Sequence, residues 1–355
     1  MEDNRILISN GNDTIGLSER EKQILQTIIH MYLLNAVPVG SRSLSKYLQR
    51  DLKLSPATIR NVMADLEERQ LITHPHTSAG RVPTDKGYRI YVDSLMNIEE
   101  LSENELKDIT LQFSDTKAES VLKQASKLLG MISKYLSIIE IPNIDDLIVE
   151  KIEIISLYGN RILVVIALNS NIIRTVTLEA DFEIDMKILQ EISSFINERT
   201  SSRKLSYLRQ NFSGIMEDYS GKDAPLIRLF IDSVDKLFEN SKTTDRIHIS
   251  GTQNLLSYPE FEDLGRVKGV VELIENEDII IHLLDNKENA RDGIKVLIGR
   301  ELNNELLEDY SLIVSNYEVG PACGSIGLIG PKRMNYSKMV SLVKYFSSLI
   351  PKYIS

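Results

Sequence analysis

Three side chains near the start of one helical segment, Thr58, Arg60 and Asn61, are of the kinds that read base edges and phosphates in duplex DNA. A guanidinium presents a bidentate fork to guanine or phosphate, an amide matches the edge of adenine, and a hydroxyl serves either. Within Ser55-Pro56-Ala57-Thr58-Ile59-Arg60-Asn61-Val62-Met63 they fall at the amino end of the helix. Ser55 is a good N-cap and Pro56 suits the first helical position. Ile59, Val62, Met63 and Leu66 recur at i, i+3, i+4 and i+7, giving one apolar stripe from which Ala57, Thr58, Arg60 and Asn61 point away. An ordinary amphipathic helix with a solvated polar face shows the same pattern, so the neighbouring elements must decide.

Upstream, Ser18 and Glu21 have capping-box spacing, and the helix they open buries Ile24, Leu25, Ile28, Ile29 and Leu33. Ala36-Val37-Pro38-Val39-Gly40 breaks it, and Ser41 is expected to cap a short second helix through Leu44, Tyr47 and Leu48. Downstream, Leu71 to Thr73 reads as a strand, His74 to Gly80 as a wing tip with Gly80 permitting a tight turn, and Arg81 to Pro83 as the return strand. Thr84 then caps another helix. Helix, turn, short helix, turn, reading helix and two-stranded wing make a winged helix-turn-helix. Ser41 and Arg42 are expected phosphate contacts, and His76, Ser78 and Arg81 the wing contacts. For Arg81 the competing reading is an ion pair with Asp85.

Charge agrees with that polarity. Residues 17–90 hold eleven Lys and Arg against seven Asp and Glu, a net of +4 on a chain of net −10. A basic head on an acidic body directs the head toward phosphate. The excess is modest, and two copies engaging two half-sites would explain tight binding more easily than one.

The run from Leu17 to Asp93 resembles the N-terminal domain of the HrcA family, bacterial heat-inducible transcription repressors. His76-Thr77-Ser78-Ala79-Gly80-Arg81-Val82-Pro83-Thr84-Asp85-Lys86-Gly87-Tyr88-Arg89 is similar to that family's wing signature. A second match lies in Tyr317-Glu318-Val319-Gly320 and Gly324-Ser325-Ile326-Gly327-Leu328-Ile329-Gly330-Pro331-Lys332-Arg333-Met334-Asn335-Tyr336. The resemblance implies an α+β multi-domain protein: a winged helix, a GAF-like α+β domain, and a dimerisation domain inserted in it. It implies a homodimer on an inverted-repeat (CIRCE-type) operator of chaperone genes, the GroEL chaperonin as modulator, and no cofactor. On this reading residues 1–16 form a disordered arm, 17–93 the head and 94–119 a linker helix. Residues 120–181 and 291–355 form the GAF-like domain, and 182–290 the insertion.

The rest of the chain reads as mixed α and β. A polar helix from Leu101 to Asp115 and an apolar one from Ser120 to Ser137 precede three strands, Leu147–Leu157, Arg161–Leu168 and Ile172–Leu178. Hairpin signals at Tyr158-Gly159-Asn160 and Asn169-Ser170-Asn171 make them antiparallel. Met186–Ile196 and Leu226–Phe238 are helical, with Leu226, Leu229, Phe230, Val234 and Leu237 as core or dimer surface. Arg246–Ser250, Asp278–Leu284, Ile294–Gly299, Ser311–Asn316 and Ser325–Ile329 read as strands, and Ser337–Leu349 as a terminal helix.

Several function classes are excluded or disfavoured. The longest apolar run, Ile162 to Leu168, is far short of the roughly 20 residues that span a bilayer, and the start of the chain has no signal-peptide pattern. One cysteine, Cys323, leaves no disulfide framework and suits the cytoplasm. Gly320, Gly324, Gly327 and Gly330 are close together without the lysine and hydroxyl of a phosphate-binding loop, so they read as strand turns and close packing. His74, His76, His248, His282 and Cys323 lack metal-ligand spacing. No nucleophile–base pair is evident, so no enzyme is expected. Two other readings stay open: a winged-helix regulator switched by a small ligand in the GAF-like domain, and a bifunctional enzyme with a DNA-binding head.

Overall fold

Ser18 opens the first helix with both halves of a capping box: its hydroxyl accepts from the Glu21 N–H, and the Glu21 carboxylate accepts from the Ser18 N–H at 2.7 Å. That helix, α1 (Glu19–Asn35), ends at Ala36 in the left-handed region, φ 53°. Then come α2 (Ser41–Tyr47), α3 (Pro56–Glu68), strands β1 (Ile72–Thr73) and β2 (Val82–Pro83), and α4 (Asp85–Ile90) running into a π-turn at Tyr91–Leu95. β1 and β2 pair antiparallel, and Val39 bridges Arg81 as a third rung. Ile24, Leu25, Ile28 and Ile29 of α1 meet Leu44 of α2 and Ile59, Val62, Met63 and Leu66 of α3 in one buried core. Each such side chain contributes about 1.5–3 kcal/mol on burial, against about 1 kcal/mol for a cap. Packing, more than capping, therefore holds α3.

In this computed structural model the described residues are 16–48, 54–75, 80–114, 121–142, 144–158, 160–169, 173–182, 186–217, 219, 224–238, 246–255, 257–258, 264–284, 293–320 and 322–354. The expected arm falls outside them apart from Gly16, as do the centres of both hairpin turns, Gly159 and Ser170-Asn171.

After the head come α5 (Glu103–Ser114), α6 (Val121–Ser133) and β3 (Leu136–Glu140). A hairpin sheet follows: β4 (Val149–Ser156), β5 (Arg161–Leu168) and β6 (Ile173–Glu179). Four helices come next: α7 (Met186–Thr200), α8 (Leu205–Met216), α9 (Ala224–Asp232) and α10 (Val234–Phe238). The chain continues through β7 (Ile247–Ser250), α11 (Thr252–Leu255), α12 (Leu264–Glu275), α13 (Glu277–Leu284) and β8 (Ile294–Ile298). It closes with β9 (Tyr310–Val319), β10 (Ala322–Pro331) and α14 (Tyr336–Ile354).

Two compact units result. One comprises residues 1–139, 248–316 and 325–350, the other 140–247, 317–324 and 351–355. The first holds the head and a five-stranded sheet in the order β7-β3-β10-β9-β8. In the second, β4-β5-β6 form an antiparallel sheet, with Leu163 opposite Ile155 and Thr177. One face of it, carrying Ile152, Ile162, Val164, Ile166, Val176 and Leu178, shares a core with Leu189, Ile192, Leu208, Phe212, Phe230 and Phe238.

These units differ from the domain limits expected at 182 and 290, falling instead at 140 and 247. The hairpin strands need a cover for their apolar face, and the helices after them supply it, so strands and helices stay together. Asp278–Leu284, expected as a strand, is a helix. A short apolar run does not reveal its period, and Glu277 and Asp278 favour a helix amino terminus. The helix expected from Ser120 to Ser137 stops at Ser133, where Lys134 turns left-handed at φ 61° and β3 begins.

Candidate nucleic-acid interface

Ser55 caps α3 as its residue type demands, accepting from the Thr58 N–H at 3.1 Å, with the two hydroxyls 2.9 Å apart. The stripe of Ile59, Val62, Met63 and Leu66 is buried, which rolls Ala57, Arg60, Asn61 and Ala64 outward. Arg60 and Asn61 are exposed, Thr58 half-buried. The arrangement offers a guanidinium and an amide on a rigid helix end, with the Ser55 and Thr58 hydroxyls at its start. It can donate to base edges and phosphate oxygens.

Ser41 lies in the first turn of α2, but the residue before the helix is Gly40, whose position has no side-chain cap. The expected Ser41 cap is therefore corrected by one residue, because Gly40 already has the extended backbone a cap requires, φ −90° and ψ 152°. Arg42 is exposed beside it. His76 and Ser78 lie outside the described residues.

Arg81 does not pair with Asp85. Its Nε and Nη2 donate to Glu67 Oε2 at 2.9 and 2.7 Å, while His74 lies against the other oxygen of that carboxylate. Partial burial would lift the Glu67 carboxyl, yet His74 and Arg81 hold it below its usual range. Glu67 thus fastens both strands of the wing to the end of the reading helix. The sequence reading gave it no such role, since seven- and fourteen-residue separations carry no periodic signal. Gly80 serves close approach and not a tight turn. A Cβ there would sit 2.6 Å from the Val39 carbonyl carbon, where the inter-helix segment crosses the wing.

This pairing sets an expectation for salt dependence. Glu67→Gln releases the Arg81 guanidinium from a carboxylate and leaves a cation beside the reading helix. The slope of log binding constant against log salt is expected to steepen by about one. An unchanged slope in fluorescence-anisotropy titrations would show that pairing with Glu67 does not govern whether Arg81 reaches phosphate.

Among the described residues no group of three or more His, Cys, Asp or Glu is placed to hold a metal ion. No helix among them is long and apolar enough to cross a membrane.

Comparison with known proteins places this geometry. Residues 16–96 match the family described as "Winged helix-turn-helix transcription repressor, HrcA DNA-binding", and residues 119–340 match "HrcA protein C terminal domain". A heat-inducible transcription repressor HrcA of Chlorobium phaeobacteroides (strain BS1) is 35% identical over 350 residues, covering 96% of this chain and 99% of its own. Its counterpart from Chlorobium chlorochromatii is 36% identical over 344 residues, covering 96% and 98%. A solved structure titled only as a hypothetical protein at 2.2 Å superposes with a TM-score of 0.64 at 25% identity, covering 95% of this chain and 98% of that one.

Proposed function

The chain belongs to the HrcA family of heat-inducible transcription repressors, and on that premise we propose that it binds an inverted-repeat operator of chaperone genes as a homodimer in the cytoplasm. The observation that carries the reading is the uncovered amino end of α3, with Arg60 and Asn61 exposed above a fully buried stripe. We read Thr58, Arg60 and Asn61 as base and backbone contacts, with Ser55, Ser41 and Arg42 bracing phosphates. His76, Ser78 and Arg81 follow the groove from the wing. The chaperonin GroEL, on the family resemblance, promotes the DNA-binding form. When unfolded protein occupies it, repression lifts.

Gel-shift titration tests this across a salt series, with and without GroEL. An inverted-repeat duplex is expected to be retarded at lower protein concentration than a scrambled one, and GroEL to lower that concentration further. Equal affinity for both duplexes defeats the operator reading. A shift indifferent to GroEL defeats the chaperonin reading alone.

The paired form has a surface to support it. On β4–β6 the face turned away from the helices carries Ile155, Leu163, Val165, Ala167 and Ile173, adjacent across the register. Ile155 and Ile173 are 45% and 66% exposed beside the half-buried Leu163, Val165 and Ala167, and a contiguous apolar patch of this kind suits an association surface. On the same face Glu153 stands opposite Val165 and Lys151 opposite Ala167, with Arg161 opposite Glu179 at one end. Charges of both signs on one face are what a two-fold contact between identical faces needs. Val165→Asp is expected to convert the dimer to monomer in analytical ultracentrifugation. It should also weaken binding to the inverted repeat by about 10²-fold or more through lost linkage of the two heads. A variant that stays dimeric rules out this face.

A further inference from the structure

The two segments that carried the family resemblance, one following the wing and one near the C-terminus, meet in space. Lys332 Nζ donates to Asp85 Oδ1 at 2.7 Å across 247 residues of sequence, and the Arg300 N–H donates to the other carboxylate oxygen at 3.3 Å. One helical turn on, Arg89 forks onto Glu301, with Nε to Oε1 at 2.9 Å and Nη2 to Oε2. Nη2 also donates to the Val296 carbonyl at 2.7 Å, and Nη1 to Asp93 at 3.0 Å. Beneath them the buried rings of Tyr88 and Tyr336 lie 5.9 Å apart, and the Tyr336 hydroxyl donates to the Lys332 carbonyl at 2.6 Å.

The segment leaving the head is tied down as well. Ser337 accepts from the Glu99 N–H at 2.7 Å and donates to the Asn97 carbonyl, and Ser341 donates to the Glu99 carbonyl. Lys338 holds Glu105 at 2.7 Å, Thr110 meets Tyr345 at 2.8 Å, and Phe113 packs edge-on to Phe346. With Lys338 and Ser102 bonded to it, the Glu105 carboxyl is held down to about 2. Residues 94–114, within the 94–119 stretch expected as a linker helix, run as a strap along α14.

A head on a slack tether reaches half-sites at many separations, whereas a clamped head reaches few. Covering the reading face is not what this joint does, because Arg60 and Asn61 stay exposed while it is closed. We propose that Asp85, Arg89, Glu301 and Lys332 are positioning residues that fix the reading head on the sheet domain and so set the half-site spacing the repressor accepts. This rests on the paired, inverted-repeat reading above.

The test uses the full chain and a series of duplexes whose two half-sites are moved apart in single base-pair steps through about 10 bp, one helical turn. A duplex with a single half-site is the control. The parent protein is expected to prefer one spacing by about tenfold or more over a spacing half a turn away. Lys332→Met combined with Glu301→Gln is expected to flatten that preference to about twofold, with single-half-site affinity and sedimentation unchanged. Lys332→Arg, which keeps the cation, retains the preference. Should the double variant be poorly folded by its melting curve, each single variant is expected to lose part of the preference. Variants as selective as the parent overturn the positioning role and leave the dimeric reading intact. A parent protein that accepts all spacings alike overturns the positioning role, and one that binds every two-half-site duplex no tighter than the single half-site overturns the paired reading as well.

Discussion

Replacing Arg60 by alanine is expected to weaken operator binding by about 1–3 kcal/mol, roughly 5- to 150-fold, and to relax selectivity at a single base pair. The magnitude follows from what the side chain does and what it leaves alone. Among the described residues no ion pair engages Arg60, and it projects from the polar face of α3 while Ile59, Val62 and Met63 anchor the opposite face. An exposed side chain of this kind contributes within about 0.5 kcal/mol to folding, so the loss reads out recognition and not stability. Arg42→Ala is the matched comparison. Arg42 is exposed on α2, away from the reading helix, and its loss should weaken operator and scrambled duplex by similar factors while lowering the salt slope by about one. Competition titrations with all four bases at each half-site position measure the difference. If Arg60→Ala costs operator and scrambled DNA equally, Arg60 is a phosphate contact and base selection lies elsewhere on α3.

The reading helix was legible because its information is local. A cap, a proline and an apolar stripe occupy Ser55 to Leu66, and the structure runs the helix from Pro56 to Glu68. Strands β4, β5 and β6 were legible from local signals too, as apolar runs bounded by the turn residues Tyr158-Gly159-Asn160 and Asn169-Ser170-Asn171. What stayed hidden depends on partners far along the chain. Glu67 looks like one more solvated helix carboxylate until the wing brings Arg81 and His74 to it. Asp85 reads in sequence as an ion-pair candidate for Arg81, and only the fold sets Lys332 against it and Glu301 against Arg89. The run Ile279-Ile280-Ile281 is equally apolar on every side, so neither period shows and helix α13 reads as a strand in sequence. The division of the chain into units at 140 and 247 is hidden for a related reason. Hairpin strands do not announce which helices will cover them.

Gly87→Ala is expected to damage the head more than any change on its surface, although only one methyl group is added. Thr84 caps α4 by accepting from the Gly87 N–H at 3.1 Å, and the Thr84 N–H donates to the Leu71 carbonyl at 3.1 Å. Those two bonds press the first turn of α4 onto the chain just ahead of β1. A Cβ on Gly87 would lie 2.1 Å from the Leu71 oxygen and 3.1 Å from its carbon. Both are backbone atoms, fixed between the buried Leu66 and the β1–β2 pair, so no rotamer relieves the overlap. Either α4 lifts from the wing or the wing leaves α3. Overpacking of this kind costs about 1–3 kcal/mol, and a domain of this size loses roughly 4–8 °C in melting temperature per kcal/mol. Gly214→Ala gives the opposite sign. Gly214 lies within α8 with nothing inside 4 Å of an added Cβ, so alanine there is expected to stabilise by about 0.5–1 kcal/mol. Hydrogen exchange on the full chain separates the outcomes, with amides of residues 71–91 losing protection in Gly87→Ala and those of residues 205–216 gaining it in Gly214→Ala. Unchanged protection across 71–91 would mean that the head can move α4 away from Leu71 at little cost. The clamp formed by Asp85 and Arg89 on that same helix would then be too compliant to hold the reading face in register.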